Sequence, residues 1–336
     1  MRQILIDVPV REPILEQLKA LPDVRVVLAD PITTEPCVWP TNLLCETNLL
    51  FCSHPPANHE EMKNLEWIQL WSSGFDHILE MNFPARKVRV TNAQGVFDVP
   101  IAEWCVSMMI NLTRDLRGMI QNQEQGIWDR DARFQRELRG LTVGFWGYGG
   151  LARETARLCK TLGLKIHVLS RGEIKCRPKS YVVPGTGDPD GILPDILFPM
   201  EKKMEFLSGL DFLVLATPLD STTRGMVGEA ELKALPRKAY LLNPARGPLI
   251  QEPALLRALK ERWFAGAALD THFAYPMPPD HPLWQFPNVI MTPHISGSSL
   301  SPHFLTRVWD IFQQNVIHFL RNEPLLNEVS LKQLSP

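Results

Sequence analysis

Polar residues that could do chemistry follow the apolar runs in the second half of the chain. Four such runs end in Thr217, Asn243, Asp270 and His294, and Arg246 lies three residues after Asn243. The carboxyl ends of parallel strands meet at one edge of a sheet, so we expect these side chains to lie together. There a guanidinium could bind a small anion and an imidazole could transfer a proton. Each residue alone has a structural explanation, but their recurrence at successive strand ends favours an active site.

A glycine turn between a strand and a helix is predicted at the same edge. The apolar run Leu141–Trp146 leads into Gly147-x-Gly149-x-x-Ala152, and apolar residues at helical spacing follow. The first glycine permits the tight turn, and the second lets the backbone approach a pyrophosphate. The helix N-terminus adds N–H donors that favour an anion. A second apolar run, Ile166–Leu169, completes a strand–helix–strand unit, which favours dinucleotide binding over a structural turn.

The end of that second strand bears on which dinucleotide binds. An acidic residue there would bond the ribose 2′-hydroxyl of NAD, whereas the sequence reads Ser170-Arg171. A carboxylate would repel a 2′-phosphate, while a hydroxyl beside a guanidinium suits one. We therefore expect NADP as the cofactor, with NAD as the alternative. Arg171 could instead be a solvated charge in a loop that binds no ligand.

Composition limits the class of protein. A length of 336 residues suggests two domains, and 45% hydrophobic residues with a net charge of −2 describe an ordinary globular chain. The weak charge argues against nucleic acid as a partner, and no apolar run approaches the length of a membrane span. The six cysteines show no metal-ligand spacing, and no signal-peptide pattern opens the chain. We expect a cytoplasmic protein with reduced cysteines, no metal and no membrane partner.

The first 97 residues alternate short apolar runs with helix candidates, which predicts a parallel sheet with helices on both faces. The turn Ser72–His77 directly follows the apolar run Trp67–Trp71. A turn in that position can bind an anion through backbone N–H groups. An aspartate-containing structural turn explains the same residues equally well.

Two further stretches stand out. Residues 172 to about 200 are rich in Pro and Gly with little periodicity, which predicts a long loop that is functional or mobile. Pro100 opens a long amphipathic helix. The apolar face of the helix could belong to the core or to a subunit interface, and we expect the interface because the helix lies between domains. Its residues are Ile101, Trp104, Cys105, Met108, Met109, Leu112 and Leu116.

The motifs together resemble the D-isomer-specific 2-hydroxyacid dehydrogenases, over nearly the whole chain. The matching segments are Gly-Tyr-Gly-Gly-Leu-Ala, Asn-Pro-Ala-Arg246-Gly, Ala-Gly-Ala-Ala-Leu-Asp270, Asp280-His-Pro-Leu-Trp, Thr-Pro-His294-Ile-Ser-Gly297, Ser72-Ser-Gly-Phe-Asp-His, Val99-Pro-Ile-Ala-Glu103 and Asn322-Glu-Pro-Leu-Leu-Asn327.

The resemblance implies an α/β protein of two doubly wound parallel-sheet domains with the active site in a cleft. A Rossmann-type NAD(P)-binding domain would span residues 99–298. A discontinuous, flavodoxin-like substrate domain would comprise residues 1–98 and 299–336. Members of the family form homodimers through elements that include the long helix, so the resemblance implies a homodimer here.

The resemblance also implies roles for individual residues. Arg246 would bind the substrate carboxylate and polarise its carbonyl, and His294 would transfer the proton. The N–H groups of Ser73 and Gly74 would hold the carboxylate, and Asp270 would lie near the nicotinamide. Cofactor-binding residues would be Gly147, Tyr148, Gly149, Gly150, Leu151, Ser170, Arg171, Thr217, Pro218, Asn243, Ala245, Asp270 and Gly297.

Two features depart from the family pattern. The third catalytic residue of the family is a glutamate five places after the Leu-Asp aspartate, and Tyr275 occupies that place here. The family's formate dehydrogenases also lack this glutamate, so the role of Tyr275 is open. The segment 172–200 is longer than the usual connection and falls where the adenosine end of the cofactor would lie.

We therefore expect an NADP-preferring reductase that converts a small 2-keto acid to a D-2-hydroxy acid. One alternative is a non-catalytic NAD(P)H-binding regulator on the same fold, as the family's transcriptional corepressors are. The presence of Arg246 and His294 favours the enzyme, whereas Tyr275 keeps the regulator open. Another alternative is a dehydrogenase of a different small anion.

Overall fold

The computed structural model describes residues 1–29, 35–130 and 136–334, and the chain divides into two compact units. Unit 1 comprises residues 1–97, 177–183 and 299–336, and unit 2 comprises residues 98–176 and 184–298.

The strands, in chain order, are β1 (Arg2–Asp7), β2 (Val24–Leu28), β3 (Thr47–Cys52), β4 (Trp67–Leu70), β5 (Arg89–Thr91), β6 (Thr142–Trp146), β7 (Lys165–Leu169), β8 (Ile196–Phe198), β9 (Phe212–Leu215), β10 (Tyr240–Asn243), β11 (Gly266–Leu269) and β12 (Val289–Met291). The α-helices are α1 (Glu12–Lys19), α2 (Thr41–Glu46), α3 (Asp98–Thr113), α4 (Leu116–Glu124), α5 (Gly150–Thr161), α6 (Lys203–Ser208), α7 (Glu229–Ala234), α8 (Glu252–Lys260), α9 (Pro302–Leu320) and α10 (Leu331–Leu334). Short 3-10 helices span His59–Glu61, Asp76–Met81, Phe83–Arg86, Met200–Lys202, Gly247–Leu249 and Pro282–Gln285.

Unit 1 is built on a parallel sheet with the strand order β2-β1-β3-β4-β5 across the described residues. This is the flavodoxin-like order, and its strands are apolar because helices and loops cover both faces. One face packs under α9, where Phe312 stacks on Phe51 with ring centroids 4.2 Å apart. The return of the chain through α9 therefore completes the core of unit 1.

Unit 2 contains a parallel sheet with the order β12-β11-β10-β9-β6-β7-β8 over the same described part of the chain. The order reverses at β6, and ligands of such sheets bind beyond the carboxyl ends of the strands at that point. The glycine turn follows β6 directly. Two doubly wound parallel-sheet domains were predicted, and the two sheets confirm this fold class.

The apolar face of α3 corrects one expectation. Trp104, Cys105, Met109 and Leu112 are each at most 9% exposed and pack with residues of α5 and the sheet of unit 2. This face belongs to the core of a single chain, so its assignment to a subunit interface was wrong. The helix also ends at Thr113, and Leu116 opens the separate helix α4. Hydrophobic periodicity shows that a face is buried, but it does not show what covers it.

The Pro- and Gly-rich connection between β7 and β8 contains a segment that belongs to unit 1. Residues 177–183 lie within the range expected for the nucleotide-binding domain, yet they pack with unit 1. Tyr181 is 4% exposed, and its hydroxyl donates to Asp310 at 2.9 Å. Asn327 accepts from the Tyr181 N–H and donates its own N–H to the Lys179 carbonyl. Gly95 has a φ of +92°, and a Cβ there would overlap the Tyr181 carbonyl.

No helix in the described ranges combines the length and the apolar character needed to cross a membrane.

Candidate active site

The predicted site residues of unit 2 follow its strands in order along the carboxyl edge of the sheet. His294 and Gly297 follow β12, Asp270 follows β11, and Asn243 ends β10. The remaining ones continue along the edge: Ala245 and Arg246 after β10, Thr217 and Pro218 after β9, Gly147, Tyr148, Gly149, Gly150 and Leu151 after β6, and Ser170 and Arg171 after β7. Neighbouring strands lie about 4.8 Å apart, so the edge from β7 to β11 extends about 19 Å.

The glycine turn has the geometry that a dinucleotide requires. Gly147 has a φ of +92°, and a Cβ there would lie 2.8 Å from the Ala216 carbonyl oxygen, so the tight turn needs glycine. Gly149 precedes α5 and provides no side chain to cap it. Gly150 also has no room for a side chain, because Asp98 lies where its Cβ would be. Gly149 makes no side-chain cap bond to this 12-residue helix, and the N–H donors of such an N-terminus suit a pyrophosphate.

The long connection after β7 is fastened beside the glycine turn. The Tyr148 hydroxyl donates to Asp188 at 2.8 Å, and burial and this bond raise the pKa of Tyr148. Arg153, only 5% exposed, donates to the carbonyls of Asp188 and Lys175. Glu154 accepts from the Gly187 N–H at 2.6 Å. These bonds hold residues 187 and 188 at the start of α5.

Ser170 and Arg171 lie at the end of β7. The Ser170 hydroxyl donates to the Gly172 carbonyl at 2.9 Å, and Arg171 is exposed. No ion pair of Arg171 occurs within the described residues, so its guanidinium is available to a ligand.

The loop after β10 positions Arg246. Asn243 is fully buried, its amide nitrogen donates to the Arg246 carbonyl at 2.8 Å, and its amide oxygen accepts from the Ala245 N–H at 3.2 Å. The Arg246 guanidinium donates to the Ala245 carbonyl at 2.8 Å and is half-buried. Asn243 thus shapes the loop and Arg246 presents the charge.

Asp270 holds the loop that carries His294. Its carboxylate is fully buried and accepts from the Thr292 hydroxyl at 2.6 Å and the Ile295 N–H at 3.0 Å. It also accepts from the N–H and hydroxyl of Ser296. These bonds lie on both sides of His294, whose φ of +56° is the left-handed conformation. The Asp270 carboxylate therefore serves as the anchor of a strained turn.

The surroundings of His294 favour its neutral form. Partial burial lowers the pKa of the imidazole, and Arg246 and His272 lower it further, while Asp270 raises it. The Tyr275 ring lies 5.5 Å from that of His294, and Tyr275 is 58% exposed. Its hydroxyl accepts from the His272 backbone N–H at 3.1 Å. A tyrosine at this position gives the imidazole no carboxylate partner.

Three further residues position the site. Thr292 links Asp270 to Trp104, whose indole N–H donates to the Thr292 hydroxyl at 3.1 Å. Ser296 supplies two of the donors to Asp270, and the His272 ring is 2.8 Å from the Thr292 carbonyl. Their hydroxyls and ring carry no spacing signal. Only the folded loop shows their partners.

Unit 1 places Ser73 and Gly74 at the carboxyl edge of its own sheet. The Ser73 hydroxyl donates to the Ala93 carbonyl at 3.2 Å, and the Ser73 carbonyl accepts from the Asn92 amide at 2.8 Å. The Ser72 hydroxyl donates to the Gly74 carbonyl at 2.7 Å. In this part of the described chain, the N–H groups of Ser73 and Gly74 donate to no protein acceptor. The loop therefore has two donors for an anion.

No group of three or more His, Cys, Asp or Glu side chains in the described ranges could hold a metal ion.

Comparison with known proteins gives a consistent result. Residues 106–296 match the model of the NAD-binding domain of the D-isomer-specific 2-hydroxyacid dehydrogenases. A glyoxylate reductase of Thermofilum pendens is 32% identical over 276 residues, which cover 80% of this chain and 77% of that protein.

Solved structures share the fold over nearly the whole chain. A D-isomer-specific 2-hydroxyacid dehydrogenase family protein of Aeromonas salmonicida has a TM-score of 0.78 at 25% identity, covering 98% of this chain and 99% of that one. A family member from Xanthobacter autotrophicus, solved with NADPH and MES, has a TM-score of 0.76 at 24% identity, covering 99% of both chains. The matched region includes the glycine turn, Arg246 and His294. The chain belongs to the D-isomer-specific 2-hydroxyacid dehydrogenases, the NAD(P)-dependent oxidoreductases that transfer a hydride between nicotinamide and a 2-keto or 2-hydroxy acid.

Proposed function

We propose that the protein is an NADP-preferring reductase that converts a small 2-keto acid to the D-2-hydroxy acid. The observation that carries this proposal is the placement of Arg246 and His294 on either side of Asp270, at the edge that also holds the glycine turn. The relatives from Thermofilum pendens and Korarchaeum cryptofilum, both glyoxylate reductases, support a small substrate.

Arg246 and His294 are the proposed catalytic residues. The planar donor fork of Arg246 suits two substrate oxygens, one of the carboxylate and the keto oxygen, and polarises the carbonyl. The bound cofactor supplies the hydride that adds to C2. An imidazolium N–H of His294 gives its proton to the keto oxygen, which becomes the hydroxyl, and His294 is left neutral. Asp270 acts through the loop that it anchors.

Substrate binding in unit 1 is assigned to the N–H groups of Ser73 and Gly74. Their hydrogen-bonding capacity is unused while the neighbouring carbonyls and hydroxyls are occupied, which is the state expected of an anion site. Any small carboxylate satisfies such donors.

Several observations support binding of the cofactor along the unit 2 edge. Gly147, Gly149 and the N-terminus of α5 suit the pyrophosphate, and Thr217 packs against Gly147. At the end of β7, an exposed guanidinium without a neighbouring strand-end carboxylate suits a 2′-phosphate, which favours NADP over NAD.

A second candidate function is an NAD(P)H-binding regulator without turnover. Tyr275 favours it, because the tyrosine hydroxyl is bonded to His272 and gives His294 no carboxylate partner. NADPH oxidation distinguishes the two when measured with glyoxylate, hydroxypyruvate, pyruvate and bulkier 2-keto acids. Turnover with any of them supports the reductase. NADPH binding without turnover supports the regulator.

We also assign a homodimer and a cytosolic location. Exposed apolar side chains line two adjoining surface pockets on α3, α4 and the 3-10 helix Pro282–Gln285, namely Ile110, Leu116, Ile120 and Trp284. An apolar patch of this kind on a folded surface is typical of a subunit contact. The six cysteines are present as thiols, which suits a reducing compartment. Cell fractionation tests the location.

A further inference from the structure

Two histidines lie in contact at the carboxyl edge of the unit 1 sheet. His54 follows β3 by two residues, and His77 lies in the 3-10 helix after β4. Their ring centroids are 4.6 Å apart, with the planes inclined by 57°. Neither ring takes part in the chemistry assigned to Arg246 and His294.

The histidine pair adjoins the loop assigned to the substrate carboxylate. The Trp71 N–H donates to the Cys52 carbonyl at 3.1 Å, so the chain just before Ser72 is bonded to the chain just before His54. On its other side the loop meets Asn92 and Ala93, which are 6% and 0% exposed and are already bonded to Ser73. The β5 side is therefore filled. On the β3 side, the nearest groups that could bind a substituent of the substrate are His54 and His77, which follow β3 and β4.

Both rings carry nitrogen atoms that can donate hydrogen bonds. Nδ1 of His54 lies 3.2 Å from the Ser53 hydroxyl, which fixes the orientation of the ring. Nε2 of His54 has no hydrogen-bond partner among the residues that the structure describes, and His77 is exposed. An imidazole N–H donates to an anion, and an imidazolium adds a full charge. A neutral methyl or hydroxymethyl group gains much less from two such rings.

We infer that His54 and His77 bind an anionic group at the end of the substrate remote from the keto carboxylate. The substrate class is then 2-keto acids that carry a second anion, a carboxylate or a phosphate. This inference rests on the proposed reductase function and specifies its substrate. It places the specificity for the substituent in unit 1, beside the N–H groups of Ser73 and Gly74.

The test compares two matched pairs of substrates with NADPH. Oxaloacetate is compared with 2-oxobutyrate for a carboxylate, and 3-phosphohydroxypyruvate with hydroxypyruvate for a phosphate. We expect kcat/KM at least tenfold higher for the anionic member of one pair or both, with the difference mainly in KM. The pair that shows this difference identifies the anion as a carboxylate or a phosphate.

Variants connect that preference to the two rings. His54→Asn and His77→Asn should each lower the anionic-to-neutral ratio, and the double variant should bring it near one. His318→Asn is the matched control, because that histidine lies at the far end of α9 and bonds the Pro324 carbonyl, and it should keep the wild-type ratio. A ratio near one in the unmutated protein, or a high ratio that survives in the double variant, would overturn the inference. If neither glyoxylate nor any of the four acids is reduced, the reductase function itself fails.

Discussion

His294 sets the pH range in which the reduction can run. The keto oxygen must receive a proton, so the imidazole has to be protonated before turnover. Partial burial and the Arg246 charge lower its pKa, which means that the protonated fraction falls at a lower pH than for an ordinary histidine. We expect kcat/KM for reduction to be highest in mildly acidic solution and to decline through neutral pH.

The substitution Tyr275→Glu tests this explanation. A carboxylate near the imidazole favours the charged form and raises the histidine pKa by about 1–3 units, so the basic limb of the profile should move upward. Tyr275→Gln is the control, because it removes the ring without adding charge and should leave the limb in place. An unmutated enzyme whose kcat/KM stays flat to about pH 8 would contradict the argument.

Arg171 determines the choice of cofactor in our proposal. One charge-assisted hydrogen bond to a 2′-phosphate contributes about 1.5–3 kcal/mol, or roughly ten- to hundredfold in affinity. Arg171→Ala should therefore weaken NADPH binding by about that factor and leave NADH binding unchanged, as measured by fluorescence titration. Lys165→Ala, at the opposite end of β7, should change neither. Equal affinities for the two cofactors in the unmutated protein would exclude this role.

Arg246 should not tolerate a change to lysine. An ammonium group is a point charge and cannot reproduce the two-pronged contact of a guanidinium. We expect Arg246→Lys to raise KM for the keto acid and lower kcat together, while the Kd for NADPH stays near that of the unmutated protein. Arg257→Lys on the exposed face of α8 is the control. Near-normal steady-state kinetics in Arg246→Lys would mean that the substrate is held elsewhere.

At the level of elements, the turn from Thr292 to Ser296 depends on one buried carboxylate. In Asp270→Asn, the new amide N–H₂ would face donors of Ser296, and loss of such a buried hydrogen bond costs about 1–3 kcal/mol. That cost corresponds to a fall in Tm of about 2–10 °C by calorimetry. Activity should fall as well, because His294 would lose its fixed position. Asp280→Asn, an exposed aspartate in the same region, should leave both quantities unchanged.

The strands of both sheets could be predicted from the sequence, except β8 (Ile196–Phe198), which lies in the segment predicted to be a long loop. The order of polar residues at the strand ends could also be predicted. The reason is physical: strands buried on both faces give continuous apolar runs, and each run ends where Asn243, Asp270 and other polar residues begin. What covers an apolar face could not be predicted, and α3 shows this. The packing of Tyr181 on unit 1 could not be predicted either, because it depends on hydrogen bonds to Asn327 and Asp310, which lie far along the chain.

At the scale of the whole molecule, the exposed apolar patch on α3 and α4 predicts self-association. Ile120→Glu would place a charge in the proposed interface, and burying an unpaired charge is costly. We expect the unmutated protein to have the mass of a dimer in light scattering and Ile120→Glu to have that of a monomer. Ile192→Glu, at a more exposed isoleucine outside the patch, should remain dimeric. A monomeric unmutated protein would contradict the assignment.

The docking of Tyr181 also concerns the synthesis of the protein. Its partner Asn327 follows 146 residues later. At about 5–20 residues per second, the ribosome needs about 7–30 s to deliver that partner. During this interval the aromatic ring of Tyr181 and the carbonyl of Lys179 are open to solvent and to other nascent chains. A transcript truncated before Asn327 would release a polypeptide in which this exposure is permanent, a target for chaperones and proteases.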